Sequence, residues 1–175
     1  MKKLLSLFLV LALAFSLCVG VLAEEPAGEL AGEIVILHTN DVHGAISSYA
    51  KVAALKAEYE AKGAEVLLMD AGDYIQGEPY VSVSQGETAI RLMNYVGYDV
   101  ATIGNHEFDY GMDNFLALAQ ERAEYTYLCS NLTDMEGEPV LEPYALVEYG
   151  DVTVGYVGID TPESFTKSTP TYFQD

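Results

Sequence analysis

Val100-Ala101-Thr102-Ile103-Gly104-Asn105-His106-Glu107 is a short apolar run that stops on a glycine and a knot of polar side chains. A strand buried on both faces of a parallel sheet reads as such a run, rich in β-branched residues, and not as an alternation. The same pattern stands twice upstream. Ile34 to Leu37 leads into Asn40-Asp41-Val42-His43-Gly44, and Val66 to Met69 leads into Asp70-Ala71-Gly72-Asp73. Ligands of α/β proteins bind in the crevice at the carboxyl ends of the strands. If the three strands are parallel, the three polar clusters meet at one edge of the sheet.

The segments between these runs have helical character. Tyr49, Val52, Leu55 and Tyr59 recur at helical spacing, with Ser47 or Ser48 as the N-cap and Gly63 as the stop. Thr88 to Val96 reads as a helix closed by Gly97. Asp113 is placed to cap a helix from Asn114 to about Arg122, and Tyr125 to Cys129 reads as a further strand. Tyr49, Tyr59, Tyr95 and Tyr98 are expected to pack. The last third changes: Tyr144 to Tyr149 and Val152 to Ile159 are β-rich and separated by Gly150-Asp151, both tolerant of the positive φ a hairpin turn needs. Alternating strands and helices followed by a hairpin predict an α/β domain with a mixed sheet. No internal repeat or low-complexity tract interrupts it.

The amino terminus reads as a secretory signal. Met1, Lys2 and Lys3 form a positive n-region, Leu4 to Gly20 an apolar run, and Val21-Leu22-Ala23 a cleavage site, with processing after Ala23. The apolar run falls short of the roughly 20 residues a membrane span requires, which predicts an exported chain without a stable span. Cys18 follows Leu17 where a lipoprotein signal wants a small residue. Residues 24–32 read as a flexible acidic leader, and residues 33–175 as the folded part. Loss of Lys2 and Lys3 moves the formal charge from −19 to −21, with 27 acidic residues against 6 basic ones. Such a surface repels nucleic acid and anionic lipid. A phosphate substrate in this field needs local positive charge, which bound metal ions supply. Cys129 is the one cysteine left after processing and lies in an apolar run, so a buried, inert thiol is expected.

The polar clusters have the residue types of a metal site. Asp41 and His43, two apart, can clasp one ion through oxygen and imidazole nitrogen. Asp73 follows Gly72, which lets the backbone turn sharply and aim a carboxylate able to bridge two ions. Asn105 offers an amide oxygen, and His106 beside it can reach a substrate. Mixed N and O donors suit Zn, Mn, Fe or Ni more than Ca or Mg. Two ions about 3.5–4 Å apart clamp a phosphoryl group and activate water at neutral pH. Asp-x-His or Gly-Asp alone is a weak signal; the order of all three clusters makes it sharp.

The three segments Ile36-Leu37-His38-Thr39-Asn40-Asp41-Val42-His43-Gly44, Gly72-Asp73, and Gly104-Asn105-His106-Glu107-Phe108-Asp109-Tyr110-Gly111 resemble the first three signatures of the calcineurin-like metallophosphoesterases. The flanking words resemble the secreted 5′-nucleotidase branch, which includes UDP-sugar hydrolases and 2′,3′-cyclic phosphodiesterases, and Gly158-Ile159-Asp160-Thr161-Pro162-Glu163 with Thr166-Lys167 and Pro170 resembles that branch's next segment. The resemblance runs from Glu33 to Pro170. It implies the amino-terminal half of a four-layer α/β/β/α sandwich with mixed sheets, and hydrolysis of nucleotide or other small phosphate esters by water activated on two divalent metal ions. It also implies roles: Asp41 and His43 on the first metal, Asp73 bridging, Asn105 on the second. His106 would hydrogen-bond the phosphoryl oxygens, and Asp109 would orient His106 and favour its protonated form.

Other polar residues are expected to be structural: His38 as a core histidine, Asp70 and Glu107 behind the ligands. Lys167 has no assigned task. The family draws further histidines from later in the domain, whereas this chain has only His38, His43 and His106. It also lacks the family's carboxy-terminal domain, which holds the nucleoside. We therefore expect a piece of a longer enzyme, inactive alone. The competing reading is a short metal-binding or surface module.

Overall fold

The three apolar runs form strands β1 (Ile34–Thr39), β2 (Glu65–Asp70) and β3 (Val100–Ala101). With β4 (Thr126–Tyr127) they make a four-stranded sheet in the order β1-β2-β3-β4, parallel throughout. The hairpin β5 (Tyr144–Tyr149) and β6 (Val152–Val157) forms as expected around Gly150, whose φ is 56°, and makes a second, antiparallel sheet. Parallel and antiparallel strands thus fall into separate sheets. This computed structural model describes residues 28–173; the expected signal peptide over 1–23 and the first part of the leader lie outside the described residues.

Helix α1 (Ile46–Ala61) connects β1 to β2, and α3 (Glu87–Val96) precedes β3, ending at Gly97 in the left-handed conformation that glycine favours. Between them α2 (Pro79–Val83) was not anticipated, although proline at a first helical position is a known start signal. Two caps differ from expectation. Helix α1 begins at Ile46 after Ala45, so Ser47 and Ser48 lie inside its first turn; the loop is already reversed at Gly44, where φ is 70°. Helix α4 (Met112–Ala117) starts after Gly111, at φ 88°, and places Asp113 in the first turn rather than at the cap. It continues as a π-helical turn over Leu118–Arg122.

The two faces of the parallel sheet bury different cores. Under the helices lie Leu68, Ala101, Tyr127 and Cys129, with Tyr74, Ile90, Met93, Phe108 and Phe115 packed on them. Cys129 is buried, as expected for an inert thiol. On the opposite face Leu67, Val100 and Leu128 pack against Tyr149 and Tyr156 of the hairpin. This second core takes in Ile34 of edge strand β1 but not the residues beyond it on that face, so Ile36 is 48% exposed and His38 is exposed too, not the core histidine expected. Tyr49 and Tyr98 are buried, but Tyr95 is 90% exposed and packs nothing of weight, because it sits on the solvent face of α3. Among the described residues no helix is long and apolar enough to cross a membrane.

Candidate metal centre

Parallel register levels the strand ends. Thr39 pairs with Asp70, and Asp70 with Ala101, so the loops that follow leave the sheet side by side. The ladder continues beyond the strands as loop-to-loop bonds: the Ala71 N–H donates to Thr39 O at 2.9 Å, Asp41 N–H to Gly72 O at 3.0 Å, and His43 N–H to Asp73 O at 3.0 Å. The loops approach so closely that side chains are excluded. A Cβ on Gly72 would lie 2.5 Å from Gly104 N, and one on Gly104 would lie 2.4 Å from Asp73 Oδ1.

These contacts bring Asp41, His43 and Asp73 together, each offering a ligand atom within 4.8 Å of the others. His43 Nε2 lies 2.9 Å from Asp41 Oδ1, and Nδ1 lies 3.2 Å from Gln76 Oε1. All three residues have left-handed backbone, with φ of 61° at Asp41, 47° at His43 and 64° at Asp73. Among the described residues only Gln85 joins them as a non-glycine with positive φ. Such strain persists only where surrounding structure imposes it, and it gathers at functional sites.

The third cluster forms a 3-10 turn over Asn105–Phe108 beside this trio. The His106 N–H donates to Asp73 Oδ1 at 2.9 Å, and its ring stands edge-on to the His43 ring, with centroids 4.8 Å apart. His106 Nδ1 donates to Asp109 Oδ2 at 2.6 Å. That bond leaves Nε2 as the ring atom available to a substrate. Asn105 Nδ2 donates to the Lys167 carbonyl at 3.3 Å, so this side chain is tied to helix α5 (Ser164–Lys167). The Lys167 ammonium is paired with Glu163 at 2.6 Å on the surface.

Behind the loops, Asp70 is 3% exposed. It accepts the Gly72 N–H at 2.8 Å and the Thr39 hydroxyl, and that hydroxyl also lies 2.8 Å from Tyr98 Oη. Burial pushes the Asp70 carboxyl up to about 7 against the opposing pull of the Thr39 and Gly72 bonds. Burial, with the nearby Asp70 charge, raises Tyr98 to about 12 against the opposing pull of its Thr39 bond. Gln76 was missed from the sequence. Its link to His43 exists only through the turn that follows Asp73, where no periodicity or motif announces it.

The donor set fits a divalent transition-metal ion: two carboxylates and an imidazole, converging without an intervening cation among the described residues. Residues 34–170 match the calcineurin-like phosphoesterase family. Protein UshA of Escherichia coli is 33% identical over 155 residues, covering 82% of this chain and 28% of that protein. A 5′-nucleotidase of Vibrio cholerae is 29% identical, covering 98% of this chain and 33% of its own. The crystal structure of the calcineurin-like phosphoesterase YfkN from Bacillus subtilis superposes with a TM-score of 0.67 at 28% identity, covering 79% of this chain and 51% of that one. The chain thus spans about a third or less of the length of these curated relatives.

Proposed function

We propose, because this chain belongs to the calcineurin-like phosphoesterase family, that it carries the metal-binding front of a secreted hydrolase acting on nucleotide phosphate esters, of 5′-nucleotidase type. The observation that carries this reading is the convergence of Asp41, His43 and Asp73 within 4.8 Å on strained backbone. Asp41 and His43 would hold one ion and Asp73 would bridge to a second, to which Asn105 contributes its amide oxygen. Two divalent ions, Zn, Mn or similar, would supply positive charge to the phosphoryl oxygens and lower the pKa of water.

The chain's own residues do the rest. His106, fixed through Nδ1 by Asp109 with its ring 4.8 Å from that of His43, keeps Nε2 free to donate to a phosphoryl oxygen, stabilising charge as the ester bond breaks. Asp109 keeps that tautomer and ring orientation. The acidic surface, with a formal charge of −19 over the full sequence, argues for a small ester over a polyanion. Export rests on the reading of residues 1–23. Sequencing the amino terminus of the exported protein tests it: a first residue of Glu24 supports cleavage, and Met1 overturns it.

The test of activity is hydrolysis of AMP, UDP-glucose and 2′,3′-cyclic AMP by the protein at its full natural length, with added Mn or Zn. AMP turnover abolished by a chelator and restored by the metal is expected. Turnover indifferent to chelation, or confined to a substrate without a phosphoester, would refute the reading. A preference for UDP-glucose or the cyclic nucleotide would keep the chemistry and change the substrate.

A further inference from the structure

Glu107 is a buried charge-bearing side chain without a task in the chemistry above. It is 0% exposed, and among the described residues no lysine, arginine or histidine forms an ion pair with it. A carboxylate so placed needs other partners, since an unpaired buried charge is costly. Its partners are three backbone amides. Oε2 accepts from the Gly104 N–H at 2.6 Å and the Asp73 N–H at 2.9 Å, and Oε1 accepts from the Tyr74 N–H at 3.1 Å.

Those amides belong to two different loops. Asp73 and Tyr74 follow β2 and carry the proposed bridging ligand; Gly104 follows β3 and immediately precedes Asn105. In the other direction, the His106 N–H donates to Asp73 Oδ1, so each loop holds the other through a carboxylate. Water cannot take over this duty. The space between the loops is closed to a single added carbon, as the 2.5 Å approach of a Gly72 Cβ to Gly104 N shows.

We propose that Glu107 is a positioning residue that sets the separation of the two metal-binding loops before any ion arrives. This rests on the reading of Asp73 and Asn105 as ligands. Glutamate suits the place because one side chain must accept three N–H groups from two directions. Glutamine has a single acceptor oxygen, and its amide nitrogen would oppose one of the loops. Aspartate, one methylene shorter, cannot reach both.

The test is calorimetric titration of Mn²⁺ into the protein at its full natural length, unaltered and with Glu107→Gln. Thermal unfolding of both is measured without metal, and amide hydrogen exchange is measured in the metal-free unaltered chain. Mn²⁺ affinity is expected to fall about 10–100-fold in Glu107→Gln, the scale at which partners of metal ligands act. The unfolding transition is expected to stay cooperative. The amides of Asp73, Tyr74 and Gly104 are expected to exchange slowly with no metal present. Unchanged Mn²⁺ affinity in Glu107→Gln overturns the proposal. So does exchange of those three amides at unprotected rates until Mn²⁺ is added, a result that stands even if the variant fails to fold. If the unaltered chain binds no Mn²⁺, the ligand assignment itself fails and this proposal with it.

Discussion

Gly104→Ala separates the metal site from the fold. Gly104 has φ −119° and ψ −165°, extended backbone that alanine adopts freely, so the substitution carries no conformational strain. Its new Cβ, however, would lie 2.4 Å from Asp73 Oδ1, 2.7 Å from Cγ and 3.0 Å from Oδ2. Ordinary contact begins at 3.4 Å, so the carboxylate must retreat by about 1 Å. That movement breaks the His106 N–H bond to Oδ1, which at a charged acceptor contributes about 1.5–3 kcal/mol. Stability should fall by no more than this. Metal binding should suffer more, because a displacement of about 1 Å exceeds the roughly 0.5 Å within which a binding constellation must be held. We expect Mn²⁺ affinity to drop at least ten-fold by calorimetric titration, with a small shift in thermal unfolding. Gly72→Ala is the contrast: its φ is 102°, and its Cβ would meet Gly104 N at 2.5 Å and Ile103 C at 2.7 Å, backbone that cannot swing aside. It should destabilise the fold outright. A Gly104→Ala chain that binds Mn²⁺ as tightly as the unaltered one would refute the assignment of Asp73 as a ligand.

Removing the His106 imidazole by His106→Ala should lower kcat of the full-length enzyme by about 10²–10³, the scale of one lost charge-stabilising donor, with Asp109→Asn costing about 10–100-fold; equal rates for either variant and the parent would sink the role given to that residue. The raised carboxyl of Asp70, at about 7 in the folded chain against 3.8 ordinarily, means that the folded state binds its proton more tightly than the unfolded one. Its stabilising contribution is therefore full below about pH 4 and is lost as pH rises toward 7, by up to about 4 kcal/mol. Urea unfolding of the parent and of Asp70→Asn across that window should differ in slope, and parallel profiles would refute it. Phe115 is 0% exposed, with ring centroids 5.8 Å from Phe108 and 5.3 Å from Tyr127. Phe115→Ala should cost about 3–5 kcal/mol in urea unfolding; a loss below about 1 kcal/mol would mean that the core under α4 collapses to fill the space.

Period and composition carried most of the architecture. The apolar runs at Ile34, Val66 and Val100 were legible as buried strands because β-branched residues on both faces have no other use, and Gly150-Asp151 marked the hairpin. What stayed hidden depends on neighbours far away in sequence. His38 looked internal because its run is apolar, yet exposure is decided by how far the hairpin-side core reaches across the sheet, and on β1 it takes in Ile34 but leaves Ile36 and His38 exposed. Tyr95 falls on the outer face of α3, and an aromatic there is indistinguishable from a core residue until the helix is rotated onto its sheet. Ser47, Ser48 and Asp113 were plausible caps, but Gly44 and Gly111, at positive φ, reverse the chain earlier and start the helices without them. At the site, residue types and order pointed to Asp41, His43 and Asp73, and the structure brings these three together. Their left-handed backbone, the Gln76 contact and the anchoring of Asn105 to Lys167 are long-range consequences that no local word encodes.

The strain at the three proposed ligands explains why the loops are braced as they are. A non-glycine residue in left-handed backbone costs on the order of 1–3 kcal/mol, and here three occur within the space of one ion site. A flexible loop would relax out of that state. It would regain it only on binding metal, at the expense of affinity. In this chain the conformation is imposed from outside: Asp41 and His43 donate N–H groups to Gly72 O and Asp73 O, Asp73 donates to Glu107, and Asp70 holds Gly72 from below. Each of those bonds contributes about 1 kcal/mol where it replaces water, and more where leaving it out would strand a buried amide. The carboxylates of Asp70 and Glu107 therefore hold the loops of the proposed ligands in place without an ion. On that reading two acids, normally excluded from a core, lie buried directly behind the proposed cation site because they brace its loops.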